Sequence, residues 1–95
     1  MHCRITKVNH EQGKRDDIIW YLKTKNEDIK SIEGLHSVRM IEISETESIA
    51  ISEYENEQQL TMAEEKFKEI MSGMMPFMTA PPEVHNGDEC WSMEK

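Results

Sequence analysis

The order in which strand-like and helix-like patterns follow one another along the 95 residues is the feature that most constrains the fold. Residues 2–8 alternate with a period of two and are rich in β-branched side chains, which predicts a first strand. From Lys14 onward the apolar residues, beginning with Ile18 and Leu22, recur at helical spacing, with a break expected near Asn26. The chain therefore begins with a strand followed by a broken helix.

Two further strands are predicted in the middle of the chain. Residues 35–44 are typical of a strand, and the shift in alternation between Met40 and Ile41 predicts a β-bulge there. Residues 48–54 form a shorter alternating stretch with one face that is clearly more apolar than the other. Because the turn at 45–47 is short, we expect these two strands to form a hairpin.

The last third of the sequence predicts a second helix and a final strand. Asn56 lies three residues before Gln59, which resembles a capping box, and apolar residues then repeat at intervals of three and four over 60–74. Pro76 ends this helix, and residues 83–93 form a last extended segment. The order of elements is strand, helix, strand, strand, helix, strand.

This order predicts a single α+β domain over residues 1–95 with the ferredoxin-like βαββαβ fold. Right-handed strand-helix-strand crossovers joined by a hairpin give a four-stranded antiparallel sheet with both helices on one face. We expect the first and last strands to lie side by side at its centre. The open face carries Ile49, Ile51 and either Val38 or Ile41, which is more apolar surface than a small protein usually exposes. A second copy of the chain is the simplest cover, so a homodimer through the open sheet face is predicted.

Charge and hydropathy narrow the choice of partners. The formal net charge is −8, with 19 acidic residues against 11 basic ones, which disfavours nucleic acid and anionic membrane surfaces as partners. No stretch is long and apolar enough for a membrane span, and the first residues do not resemble a signal peptide. We therefore expect a cytoplasmic protein with no membrane and no nucleic-acid partner.

The sulfur-containing residues give no clear metal signature. Cys3 and Cys90 lack the CxxC spacing of zinc or redox motifs, so we interpret them as reduced thiols, with a disulfide between neighbouring strands as the alternative. Four of the eight methionines fall within residues 71–78. Thioethers bind copper(I), but no Cys or His is interleaved, which favours a pliable packing surface or cleft wall. We expect no metal site and no tightly bound cofactor.

Several short segments at the joints between elements carry a resemblance to a known group of proteins. They are residues 13–18, 32–35, 53–57, 74–83 and 87–91. Through them the chain resembles the dimeric α+β barrel superfamily, in particular small proteins related to the antibiotic biosynthesis monooxygenase (ABM) domain. The resemblance implies two subunits whose sheets face each other as a barrel, with a small-molecule cleft in each subunit between sheet and helices. Because the superfamily includes cofactor-free oxygenases, haem-degrading enzymes and other activities, the resemblance names no reaction.

The leading hypothesis from this resemblance is a protein that binds a flat, mostly apolar metabolite and oxidises it without a tightly bound cofactor. We expect the cleft to be lined by six apolar side chains, which are Trp20, Phe67, Met71, Met74, Met75 and Phe77. An oxygenase of this kind needs a hydrogen-bond donor or a base beside the substrate. The candidate catalytic residues are Tyr54, His36, His85 and Trp91, each with a structural or surface role as the alternative.

Two other functions remain open from the sequence. The first is a non-catalytic dimeric module that binds a metabolite or a partner protein. The second is a haem or metal binder that uses His36 or His85.

Overall fold

The computed structural model describes residues 1–95 and contains one four-stranded antiparallel sheet with the helices packed on one face. The strands are β1 (His2–Asn9), β2 (Leu35–Ser44), β3 (Glu47–Tyr54) and β4 (Glu83–Asp88). The helices are α1 (Arg15–Thr24), α2 (Asn26–Lys30), α3 (Glu57–Met62) and α4 (Glu64–Met74), followed by a 3₁₀ turn over Met75–Phe77. The predicted α+β fold and its element order are confirmed. None of the helices combines the length and the apolar character that crossing a membrane requires.

The strand order is β2-β3-β1-β4, so β1 and β3 occupy the centre of the sheet. The prediction that the first and last strands are neighbours is right, but the prediction that both are central is wrong, because β4 is an edge strand. The β2–β3 hairpin brings β3 beside β1, and this leaves only the outer side of β1 for β4.

The predicted bulge between Met40 and Ile41 is also wrong. Both residues pair in regular register, Met40 with Ala50 and Ile41 with Ile49, while the register shifts of β2 lie nearer its two ends. Met40 points toward the helices and Ile41 toward the open face, because neighbouring strand residues point to opposite sides. The adjacent apolar residues therefore reflect a sheet that is apolar on both faces.

The second helical region begins as predicted but divides into α3 and α4. Asn56 caps α3, since its side-chain oxygen accepts a hydrogen bond from the backbone N–H of Gln59 at 2.9 Å. The break falls at Ala63, between the two helices. At this point the guanidinium of Arg4 donates to the carbonyl of Leu60 at 3.4 Å, and a side chain that enters the backbone hydrogen-bond ladder is a common cause of a helix break.

Strand β4 ends at Asp88, so the last strand is shorter than the predicted segment 83–93. Cys90 follows it in an exposed segment without regular structure, and Cys3 pairs across the sheet with Gly87. Both thiols are free, as the interpretation of reduced cysteines expects.

The core between sheet and helices consists of two small clusters rather than one. One cluster is built on Val8, Ile18 and Met74, and the other on Tyr54 and its neighbours Leu60 and Ala63. Tyr54, Val8 and Met74 also line a cavity, so the cavity separates the two clusters.

Helices α1 and α4 contact each other closely through Tyr21 and Gly73. The Tyr21 hydroxyl donates to the carbonyl of Ile70 at 2.8 Å. A Cβ atom at position 73 would overlap with that hydroxyl oxygen, so the tyrosine ring fits only because residue 73 is glycine. Glycine normally destabilises a helix, but at position 73 it allows α1 and α4 to pack closely.

We predict that Gly73→Ala lowers the free energy of unfolding by about 1–3 kcal/mol, because the added methyl group displaces the Tyr21 ring. An alanine in a helix normally stabilises it by up to about 1 kcal/mol relative to glycine, so the expected sign is reversed. Urea unfolding followed by circular dichroism measures the change. Gly87→Ala is the control, since nothing lies within 4 Å of a Cβ at that position. A Gly73→Ala variant as stable as the wild type would contradict the close contact.

Candidate ligand cavity

The main candidate site is a cavity of about 90 Å³ between the sheet and helices α1, α2 and α4. Thirteen of its fifteen lining residues are hydrophobic, and the two others are Thr6 and Ser52. The strands contribute Thr6, Val8, Leu35, Val38, Met40, Ala50, Ser52 and Tyr54, and the helical side contributes Leu22, Ile29, Ile32, Phe67, Ile70, Met71 and Met74. Such a site binds through shape and apolar contact, with a few hydroxyl groups to orient the ligand.

Three of the six expected cleft residues lie in this cavity, namely Phe67, Met71 and Met74. They lie on one face of α4, where positions 67, 71 and 74 are spaced by four and three. The other three lie elsewhere: Trp20 is 69% exposed on α1, Met75 is half exposed, and Phe77 packs against the Val8 cluster. On α1 the helical spacing directs Ile18, Tyr21 and Leu22 inward, which leaves Trp20 outside.

Among the four candidate catalytic residues, Tyr54 lines the cavity. His36 is exposed at the start of β2, and its Nε2 contacts the carboxylate of Glu55. His85 is exposed on β4 and contacts Glu83 at 3.3 Å. Trp91 lies in the segment after β4 and is 77% exposed. The structure therefore does not bring the four residues together, and it leaves Tyr54 as the candidate beside a ligand.

Behind Tyr54 lies Arg4, a fully buried arginine on β1. Its guanidinium donates to the Tyr54 hydroxyl at 3.0 Å and to the carboxylate of Glu64 at 2.6 Å. The guanidinium also stacks on the ring of Phe67, 3.9 Å from the ring centre. Since Tyr54 and Phe67 both line the cavity, Arg4 fixes two of its walls and places a positive charge directly behind the phenol.

The Tyr54 hydroxyl is a proton donor at neutral pH. Burial raises the pKa of Tyr54 above the ordinary tyrosine value, and this effect outweighs the positive charge of Arg4, which lowers the pKa. Because the Arg4 guanidinium can only donate, the phenol oxygen accepts that bond and keeps its own proton for another acceptor. A ligand oxygen in the cavity can be that acceptor.

Arg4, Thr6 and Ser52 are not among the site residues predicted from the sequence. The available signal was the alternation of β1, in which Arg4 and Thr6 share a face with the buried Val8. A charged residue on the helix-facing side of a central strand indicates a buried partner. That partner, Glu64, is 60 residues away and cannot be found from local patterns.

A second buried polar cluster joins His10, Ser48 and Arg15. The Nδ1 of His10 lies 3.0 Å from the Glu11 carbonyl, which can only accept, so Nδ1 carries the proton. The Nε2 of His10 lies 3.1 Å from the Ser48 hydroxyl, and Arg15 donates to the same hydroxyl at 2.9 Å. Ser48 and His10 are both buried, so they cannot reach a substrate. The cluster instead connects the end of β1 with β3 and α1.

The lining residues that carry a polar side-chain group are Thr6, Ser52 and Tyr54, each with one hydroxyl. They can donate hydrogen bonds to a ligand and orient it. The lining contains no carboxylate, imidazole or amine, so it offers no side chain that takes up a proton near neutral pH. The site can therefore polarise a bound molecule but does not contain a conventional general base.

Comparison with solved structures gives close matches over nearly the whole chain. A Nitrosomonas europaea protein assigned to the antibiotic biosynthesis monooxygenases has a TM-score of 0.78 at 10% identity, covering 96% of this chain and 100% of that chain. A Streptomyces coelicolor monooxygenase solved with the ligand nanaomycin D has a TM-score of 0.76 at 12% identity, covering 99% and 91%. The chain has the ABM-like fold.

The ABM-like fold also occurs in proteins without a stated activity. A second Nitrosomonas europaea protein, described as of unknown function, matches with a TM-score of 0.77 at 8% identity, covering 99% of this chain and 93% of that chain. No family model and no curated protein matches the sequence. The fold implied by the resemblance is thus confirmed, whereas these matches identify no activity.

We predict that Glu64→Gln lowers the free energy of unfolding by about 1–3 kcal/mol, because it leaves the buried Arg4 without its anionic partner. The partial exposure of Glu64 keeps the loss below the roughly 3–5 kcal/mol of a fully buried pair. Urea unfolding measures the difference against Glu65→Gln, a neighbouring exposed carboxylate. Equal stability of the two variants would show that the Arg4 contact contributes nothing.

Proposed function

We propose that the chain is a small-molecule protein that binds a flat, mostly apolar metabolite in the cavity and oxidises it with O₂, using no tightly bound cofactor. The observation that carries the proposal is an apolar cavity with a protonated phenol, Tyr54, in its wall and the buried Arg4 behind it. The match to a Streptomyces coelicolor monooxygenase solved with nanaomycin D supports the substrate class. Both cysteines are free thiols, which is compatible with a cytoplasmic protein.

The proposed reaction uses electrons that the substrate itself supplies. A ring CH₂ next to a carbonyl loses a proton to water, and the resulting enolate transfers an electron to O₂. A C–O bond then forms, the peroxide anion takes up a proton from water, and the hydroperoxide loses water, so CH₂ and O₂ become C=O and H₂O. The Tyr54 hydroxyl donates to the enolate oxygen, and this preorganised donor stabilises the negative charge.

The second candidate function is a dimeric module that binds the metabolite without changing it. The absence of a general base in the cavity lining favours this alternative. His36 and His85 lie outside the cavity beside surface glutamates, and this placement gives no support to a haem or metal site there.

We predict that Tyr54→Phe reduces the turnover number for a substrate such as dithranol, a tricyclic with an acidic CH₂, by about 100-fold or more. The removed hydroxyl acts mainly on the charge that develops during reaction, so KM should change little. An oxygen electrode follows the consumption of one O₂ per substrate molecule.

The matched control is Tyr21→Phe, because its hydroxyl bonds the Ile70 carbonyl and Tyr21 does not line the cavity. Unchanged turnover in Tyr54→Phe would remove Tyr54 from the mechanism. A wild-type protein that binds dithranol but consumes no O₂ beyond the rate in buffer would favour the binding module.

We also propose that the protein is a homodimer through the open sheet face. Only 11 of the 95 residues are buried in the single chain, which is a small core for a stable domain. The open face presents Ile5 and Ile51 opposite each other on the two central strands, with Ile41 and Ile49 opposite each other on β2 and β3. Ile5 is 43% exposed and Ile41 is 42% exposed, so a second sheet has apolar surface to cover.

We predict that Ile5→Glu converts the dimer to a monomer at micromolar concentration, because two carboxylates would be buried in the symmetric interface. Sedimentation velocity measures the mass against the 11.2 kDa of one chain. Trp20→Glu is the control, since Trp20 is exposed on a helix and away from this face. A wild-type protein that sediments as a monomer would contradict the proposal.

A further inference from the structure

A wider depression opens beside the cavity, between helices α1 and α2 and the edge strand β2. Its volume is about 240 Å³, and it is lined by Ile19, Leu22, Lys23, Asn26, Ile29, Val38 and Met40. Four of these side chains, Leu22, Ile29, Val38 and Met40, also line the inner cavity. The two spaces are therefore neighbours that share one wall, and we call the outer one the vestibule.

The size of the inner cavity requires such an extension. About 90 Å³ is less than the roughly 150 Å³ of a protein cavity that accepts a single benzene ring. Small-molecule sites usually measure about 300–1,000 Å³, a size that the cavity and the vestibule reach only together. A ligand with two or three fused rings must therefore extend through the shared wall into the vestibule.

The shared wall contains one side chain that can move aside easily. Met40 is unbranched and has three rotatable bonds, whereas Val38 is β-branched and restricted at χ1. Met40 is partly buried and separates the two spaces from the strand side. Rotation of its thioether would join them without movement of the backbone.

The vestibule differs from the cavity in its polar groups. Its two polar residues are Lys23 and Asn26, and the ammonium group of Lys23 has no carboxylate within 4.0 Å. The chain as a whole carries a net charge of −8, so its long-range field repels anions. An unpaired cation at the mouth of an apolar cavity is a local exception that suits a ligand with one anionic end.

The cavity chemistry points to the same ligand class. The lining offers hydroxyl donors but no side chain that accepts a proton near neutral pH. A substrate that must lose a proton before it reacts with O₂ is better suited to this site if it arrives already ionised, as a phenolate or an enolate, and such a ligand is an anion when it meets Lys23 in the vestibule.

We infer that the vestibule is the outer half of the binding site and that the ligand is a flat apolar molecule with an anionic group, which Lys23 and Asn26 hold while the rings pass Met40. This inference rests on the proposed ligand binding in the cavity. It makes Lys23 the residue that selects anionic over neutral ligands.

Two fluorescent probes of nearly equal shape test the inference. The probe 8-anilinonaphthalene-1-sulfonate is an aromatic anion, and N-phenyl-1-naphthylamine is its neutral counterpart without the sulfonate. Lys23→Gln should raise the dissociation constant of the anionic probe about two- to five-fold, within the range of one exposed ion pair, and leave that of the neutral probe unchanged. Lys23→Arg should restore binding of the anionic probe.

Lys30→Gln is the matched control, because it removes the same charge from an exposed residue of α2 that does not line the vestibule. It should leave both dissociation constants within about 1.5-fold of the wild type, since exposed charges farther away are screened by salt. An equal loss of the anionic probe in Lys23→Gln and Lys30→Gln would overturn the role of Lys23.

Met40→Ala tests the route past the shared wall. The smaller side chain should increase the association rate of both probes in stopped-flow measurements. An unchanged rate would show that ligands reach the cavity by another path and would overturn the vestibule as the entrance.

The two proposals can fail separately. If neither probe binds the wild type with micromolar affinity, ligand binding in the cavity fails and this inference fails with it. If both probes bind but Lys23→Gln leaves the ratio of their affinities unchanged, the cavity remains a binding site and only the anionic selectivity is wrong.

Discussion

The buried guanidinium of Arg4 holds together the part of the molecule on which the candidate site depends. It joins β1 to β3 through Tyr54, to α4 through Glu64 and to the end of α3 through the Leu60 carbonyl. A fully buried cation is costly unless it is paired and hydrogen-bonded, so each contact is also a constraint on where these elements can lie. The constraint keeps the Phe67 ring and the Tyr54 phenol fixed at one end of a cavity whose other walls are flexible methionines and aliphatic side chains.

The sheet separates two surfaces with different uses. Its helix-facing side carries polar side chains, among them Arg4, Thr6 and Ser52, within an otherwise apolar layer that contains the cavity. On its open side Ile5 and Ile51 face each other at the centre, between His85 of β4 and Arg39 of β2. Because successive strand residues alternate between the two sides, β1 and β3 supply the ligand site and the proposed dimer interface at once.

Features that depend on local periodicity could be predicted from the sequence. The strand and helix order, the break near Asn26 and the cap at Asn56 are all present in the structure. Features that depend on distant partners were missed: the central place of β3, the helix break beside Arg4 and the pairing of Arg4 with Glu64. Four predicted site residues lie in the cavity because they occupy inward positions of regular elements, namely Tyr54, Phe67, Met71 and Met74. The positions of Trp20 and Met75 could not be predicted in the same way, because they depend on the exact rotation of α1 and on where α4 ends.

The most direct test of the account is an NMR titration of protein labelled with ¹³C at the methionine methyl groups. During titration with the anionic probe 8-anilinonaphthalene-1-sulfonate, ring currents should shift the methyl signals of Met40, Met71 and Met74, which line the cavity. The signals of Met62 and Met93, which are both 66% exposed, should stay in place. Shifts confined to the exposed methionines, or no shifts at saturating probe, would contradict ligand binding between the sheet and the helices.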